Sequence, residues 1–153
     1  MRLNLTPAAT AAKAESERGR YARDGVDTYA DVNRGRMTFD IITRMETIYE
    51  ENPCGGKGTM KLEKLLSPAE MGDKCGLYAR VTLPPGAVLG YHEHHGNAEC
   101  YFMLSGEGVY DDNGQKRVIR AGDVTWTADG CGHGLSNEDG KEDVVFMALI
   151  INS

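Results

Sequence analysis

From about Met45 the chain divides into short runs rich in β-branched and aromatic residues, interrupted roughly every 8 to 12 residues by Gly, Pro, Asn and Asp. Regular punctuation of this kind is how an all-β sandwich or barrel reads. The runs predict strands over 45–50, 59–66, 77–83, 88–92, 99–104, 108–111, 115–119, 124–127, 133–136 and 144–150. Turn chemistry supports the boundaries. Asp112-Asn113-Gly114 reads as a hairpin turn whose Asn-Gly pair tolerates positive φ, and Pro84-Pro85-Gly86 ends a strand that cannot run through it. Neither repeats nor linkers interrupt the series, so residues 45–153 read as one β domain.

The first residues read differently. Thr6-Pro7 followed by Ala8, Ala9, Ala11, Ala12 and Ala14 is a helix-start signal leading into strong helix formers, with Gly19 and Gly25 placed to end the helix. Residues 1–44 are therefore expected to be a short helical arm and lead-in that carries few large apolar anchors.

The chain's 153 residues suit one domain, and its 41% apolar and 26% charged fractions are those of an ordinary globular protein. Seventeen basic against 23 acidic residues leave a net charge of −6, which argues against a nucleic-acid partner. No segment reaches the roughly 18 consecutive apolar residues of a membrane span, and residues 1–20 hold no apolar stretch suited to a signal peptide. A cytoplasmic location without membrane contact is expected. Cys54, Cys75, Cys100 and Cys131 form no C-x-x-C pair and read as reduced thiols serving as small buried hydrophobes.

Three of the four histidines fall in Tyr91-His92-Glu93-His94-His95. On a strand, side chains two apart share a face, so His92 and His94 should project together while Tyr91, Glu93 and His95 face away. Glu99 follows a short turn at Gly96-Asn97, from which a neighbouring strand can return a carboxylate beside the two imidazoles. His133 stands in a Gly-rich stretch at the start of a later strand. Three imidazoles and one carboxylate form a mixed N/O set suited to one divalent transition metal: Mn, Fe, Co, Ni, Cu or Zn.

At these residues the sequence resembles the cupin family. The first cupin motif is met by Gly86, five residues, His92, one residue, His94, four residues, Glu99, six residues and Gly106. The second appears as Gly122, five residues, Ala128, one residue, Gly130, two residues, His133, three residues and Asn137, with Ala128 in place of the usual proline. The spacer of 15 residues is short, as in small bacterial cupins. The resemblance implies a double-stranded β-helix, or jelly-roll, barrel with the metal inside, usually in a homodimer. The segment from Asn52 to Gly58 also looks like the one that precedes the barrel in small single-domain cupins, some of which carry oxalate decarboxylase labels. Enzymes of that type commonly have two barrels and a flexible lid, which this chain does not show.

Around such a site, Glu99, Tyr101 and Met103 should alternate onto the inner face. Tyr101 would fill the core or donate a hydrogen bond to a bound substrate. Arg80 would bind a substrate carboxylate if it faced inward. Trp126 is expected to pack, and Cys131 is a candidate for an extra thiol near the ion. Four protein donors leave about two positions of a six-coordinate ion for a ligand. The expected function is therefore metal-dependent chemistry on a small anionic or polyhydroxylated metabolite, by decarboxylation, dioxygenation, isomerisation or lysis. A non-catalytic ligand-binding or sensing module is the alternative.

Overall fold

Ten strands make two antiparallel sheets in the computed structural model, which describes residues 46–153. They are β1 (Glu46–Glu51), β2 (Thr59–Lys64), β3 (Cys75–Leu83), β4 (Val88–Glu93), β5 (Asn97–Ser105), β6 (Glu107–Asp112), β7 (Gln115–Arg120), β8 (Val124–Thr127), β9 (Gly132–Ser136) and β10 (Val144–Asn152). The larger sheet runs β1-β2-β3-β10-β5-β8 and the smaller β4-β9-β6-β7. This is the expected jelly roll, and every predicted run is a strand. The expected arm and helix lie outside the described residues.

Alternation along the strands builds the core. In β10, Val144, Phe146 and Ala148 are buried while Val145 and Met147 are only partly covered. Phe146 then packs against Tyr101 of β5, with ring centroids 4.4 Å apart. Val81, Leu83, Met103 and Leu135 complete the centre. A face buried in this way fixes register, because a slip of one residue would turn every apolar side chain outward.

The turns follow the sequence closely. Asn113 and Gly114 take φ of 51° and 86° between β6 and β7, and the Gly114 amide donates to Asp111 Oδ1 at 2.6 Å. Asn137 acts as a staple that the sequence did not suggest. Its Nδ2 donates to Leu83 O at 2.8 Å and to Glu142 O at 2.9 Å, tying the end of β3 to the loop before β10.

Three details differ from expectation. The run predicted over 59–66 stops at Lys64, and a short helix, α1 (Pro68–Met71), follows. Ser67 accepts from the Ala69 amide at 3.2 Å, and Glu70 accepts from the Ser67 amide at 2.7 Å. Ser-Pro-Ala-Glu is thus a capping box with proline in the first turn. Trp126 is 58% exposed, because β8 turns Thr127 inward and Trp126 outward. None of the cysteines is fully buried, although all four are free thiols.

A strap of residues, 52–58, lies across β4. Lys57 and Val88 exchange backbone hydrogen bonds of 2.9 and 2.7 Å, and Asn52 and Cys54 both adopt positive φ, at 50° and 51°. The approach is so close that a Cβ on Gly90 would stand 2.8 Å from Gly56 N and closer still to Cys54 O. Glycine at 90 lets the strap seat on the strand that carries His92.

Candidate metal centre

His92 lies on β4, His94 just beyond its end, Glu99 on β5 and His133 on β9, so the two sheets converge here. β4 and β9 pair with His92 opposite His133, after a bulge between Leu89 and His92. A bulge of this kind re-aims the side chains that follow it. His133 Nε2 lies 3.0 Å from His94 Nε2 and 3.1 Å from His92 Nε2. Glu99 Oε2 is 2.9 Å from His133 Nε2, 3.2 Å from His94 Nε2 and 3.8 Å from His92 Nε2. All four donor atoms fall within 4.8 Å of one another. His94, Glu99 and His133 are buried, and His92 is partly open.

The far side of each ring is tied down. Gly90 O accepts from His92 Nδ1 at 3.0 Å, which places a proton on Nδ1 and leaves Nε2 as the nitrogen that would meet a metal. Asn97 Oδ1 does the same for His94 at 2.7 Å. His133 Nδ1 meets the hydroxyls of Tyr110 and Thr127 at 2.9 and 2.8 Å, and these hydroxyls lie 2.8 Å from each other. Partners of this type fix ring orientation and tautomer in metal sites. Replacing both hydroxyls, as Tyr110→Phe with Thr127→Val, should therefore lower metal affinity by about 10- to 100-fold while the fold persists. Metal titration beside a thermal melt would check this.

Electrostatics suit a cation. Burial alone would raise the Glu99 carboxyl, but hydrogen bonds with His133 and His92 outweigh it and hold the group at about 2. Burial pulls His133 below the ordinary imidazole value. At His92 burial also favours the neutral ring, yet Glu99 and the Gly90 carbonyl prevail and raise its value. A ligand must be deprotonated to bind metal, so His92 is the group from which a metal must displace a proton. Metal uptake should weaken, by roughly tenfold per unit, as pH falls through the raised His92 value. Metal titrations at a series of pH values would show it, and an affinity flat between about pH 5 and 8 would contradict it.

Beside the donors opens a chamber of about 140 Å³. His92, Glu99 and Tyr101 form its polar end, and Met60, Leu62, Leu77, Val81, Leu89 and Phe146 form most of its wall. The Tyr101 ring stacks on His133 at 4.7 Å and 27°, and its Oη is 3.4 Å from His133 Nε2. Burial pushes the phenol well above its ordinary value, so it stays a neutral donor. Met103 faces inward as expected, in the buried core. His95 faces outward and pairs with Glu93 at 3.3 Å.

Two expectations are corrected. Arg80 does not face the chamber: the residues alternating with it, Ala79 and Val81, are buried, and Val81 lines the chamber. Its guanidinium instead forks onto Glu63, with Nε to Oε2 at 2.8 Å and Nη2 to Oε1 at 2.9 Å. The Glu63 carboxyl drops to about 2 under the hydrogen bonds of Arg80 and Lys61. The thiol that lines the chamber is Cys54, and Cys131 is not part of the wall. Sequence reasoning also missed Asn97, Tyr110 and Thr127. The nearest signal was a polar residue three after His94 and the Thr-Trp-Thr alternation in β8.

The cupin domain family matches residues 79–150. The chain is 46% identical over 100 residues to a protein of Thermotoga maritima named oxalate-binding protein, covering 65% of this chain and 82% of that one. It also superposes on the crystal structure of a predicted oxalate decarboxylase from Thermotoga maritima, with TM-score 0.68, 41% identity and coverage of 71% of this chain and 94% of that chain. A polyketide cyclase from Streptomyces resistomycificus shares the fold at TM-score 0.60 and 16% identity, over 74% of this chain and 80% of that chain. With its jelly roll and both motifs, this chain belongs to the cupin family. Among the described residues, no helix is long and apolar enough to cross a membrane.

Proposed function

We propose that His92, His94, Glu99 and His133 hold one divalent transition metal and that the protein uses it to bind and transform a small anionic or polyhydroxylated metabolite. One observation carries this reading: three imidazole nitrogens and one oxygen of a carboxylate held ionised lie within 4.8 Å of one another. A mixed set of three imidazoles and one carboxylate this close together would suit one tetrahedral or octahedral ion. Such an ion, when bound, supplies Lewis-acid polarisation of a carboxylate or carbonyl oxygen.

The chain's own groups do the rest. Glu99 offsets the ion's charge, Tyr101 offers a neutral hydroxyl to a ligand atom at the same end of the chamber, and the apolar wall keeps water away from the polarised group. Decarboxylase, dioxygenase, isomerase and lyase reactions are all compatible with that arrangement, and a fold alone does not choose among them. Of the two catalytic candidates, only Tyr101 keeps a place in the proposal.

The relative named for oxalate binding favours a second reading, in which the barrel captures a small carboxylate without turning it over. Metal analysis of the purified protein, followed by binding and turnover assays on small carboxylates, diketones and sugars, separates the two. Stoichiometric metal with product formation supports the enzyme. Ligand binding with no product across the panel supports capture, with or without metal, and protein that takes up no metal refutes the enzyme.

Three further assignments belong to the same proposal. Phe102, Leu104, Val124 and Trp126 are all exposed, and Phe102 pairs with Val124 on the outside of the larger sheet, a face suited to a homodimer. Light scattering would report a dimer. Free thiols suit a reducing compartment such as the cytoplasm. Residues 45–153 act as the functional domain, with residues 1–44 as its arm.

A further inference from the structure

We propose that the chamber selects monocarboxylates with a compact apolar body and rejects ligands carrying a second anionic group that cannot reach the metal. This rests on the metal-dependent carboxylate reading above, and it narrows that reading by setting polyhydroxylated ligands aside. The evidence is the composition and size of the chamber. Met60 and Leu62 of β2, Leu77 and Val81 of β3, Leu89 of β4 and Phe146 of β10 present hydrocarbon to the space next to His92 and Glu99. Its volume of about 140 Å³ is close to that of an apolar cavity of roughly 150 Å³ known to take benzene. A body of about that size, beyond a carboxylate at the polar end, would fill it.

Charge decides what the body cannot carry. Among the described residues, no Lys or Arg lines the chamber. Arg80 of β3, which neighbours Val81 of the wall, is committed to Glu63 of β2 on the other face of the sheet. Lys61 pairs with Glu63 at 2.9 Å, and Lys57 pairs with Glu138 at 2.7 Å. The charged residue at the rim is Glu50, which sits opposite Met60 and so shares its face. A second carboxylate on the ligand would meet hydrocarbon without a partner, near a fixed negative charge, and an unpaired ion in such a place is strongly disfavoured. Each methylene placed there instead should tighten binding about fourfold.

The test compares valerate with glutarate, which have the same carbon count but differ in one terminal group, against acetate and oxalate. Binding to full-length, zinc-loaded protein is read by calorimetry after zinc stoichiometry is established. Oxalate serves as the control, because both of its carboxylates can reach the ion. Expected results are valerate tighter than acetate by at least about tenfold and glutarate weaker than valerate by at least about tenfold. In Glu50→Lys, an exposed position, glutarate should gain at least about tenfold while valerate changes by less than about threefold. Valerate and glutarate binding equally, or a ratio unchanged in Glu50→Lys, overturns the inference. Failure to take up zinc or to bind oxalate overturns the underlying reading instead.

Discussion

His133→Ala is expected to lower affinity for a divalent transition metal by more than about a hundred-fold, the largest functional effect of any single change here. The His133 Nε2 stands at the middle of the cluster, 3.0 and 3.1 Å from the two other Nε2 atoms and 2.9 Å from Glu99 Oε2. Its removal therefore deletes a donor and also loosens the group that holds Glu99 ionised. The protein should still fold. Tyr110 and Thr127 keep their mutual hydrogen bond of 2.8 Å, so no buried hydroxyl is orphaned, and the cavity left under the Tyr101 ring costs about 2 kcal/mol. Metal content and thermal melts measured on the same preparation separate the two effects. Full metal occupancy in a folded variant would refute the ligand assignment.

The largest structural effect should come from Gly90→Ala. The new Cβ would lie 2.8 Å from Gly56 N and nearer still to Cys54 O. Both are backbone atoms, so no side chain can rotate aside. Either the strap at residues 52–58 lifts, losing the Lys57–Val88 pair of hydrogen bonds, or β4 moves and carries His92 with it. Overpacking of about 1–3 kcal/mol together with two hydrogen bonds of about 1 kcal/mol each points to a loss of about 3–5 kcal/mol, or roughly 10–20 °C in Tm. Gly76→Ala is the control, since there the new Cβ would come no closer than 3.1 Å to a side-chain methyl, that of Ile150. A melt unchanged in Gly90→Ala would show that the strap is not seated as described.

Much of this was legible in the chain. Alternation and turn residues located all ten strands because antiparallel pairing leaves one face of each strand apolar, and the spacing of His92, His94 and Glu99 brought a local cluster into view. What escaped depends on which strands become neighbours. Tyr110 reaches His133 because β6 pairs with β9, while Thr127 arrives from β8 in the other sheet. No local pattern carries that information. Arg80 illustrates the same limit: its fate was decided by the register that sets Glu63 directly across from it, an attraction invisible at a separation of 17 residues. The misread stretch after Lys64 is different, since Ser67, Pro68 and Glu70 carried a helix-start signal that the preceding β-rich run obscured.

Anomalous scattering from crystals grown with zinc or manganese tests the central claim most directly. The account predicts one peak per chain, about 2.0–2.2 Å from Nε2 of His92, His94 and His133 and from a carboxylate oxygen of Glu99. A metal-loaded crystal with its peak elsewhere, or bonded to fewer than three of these side chains, would contradict it.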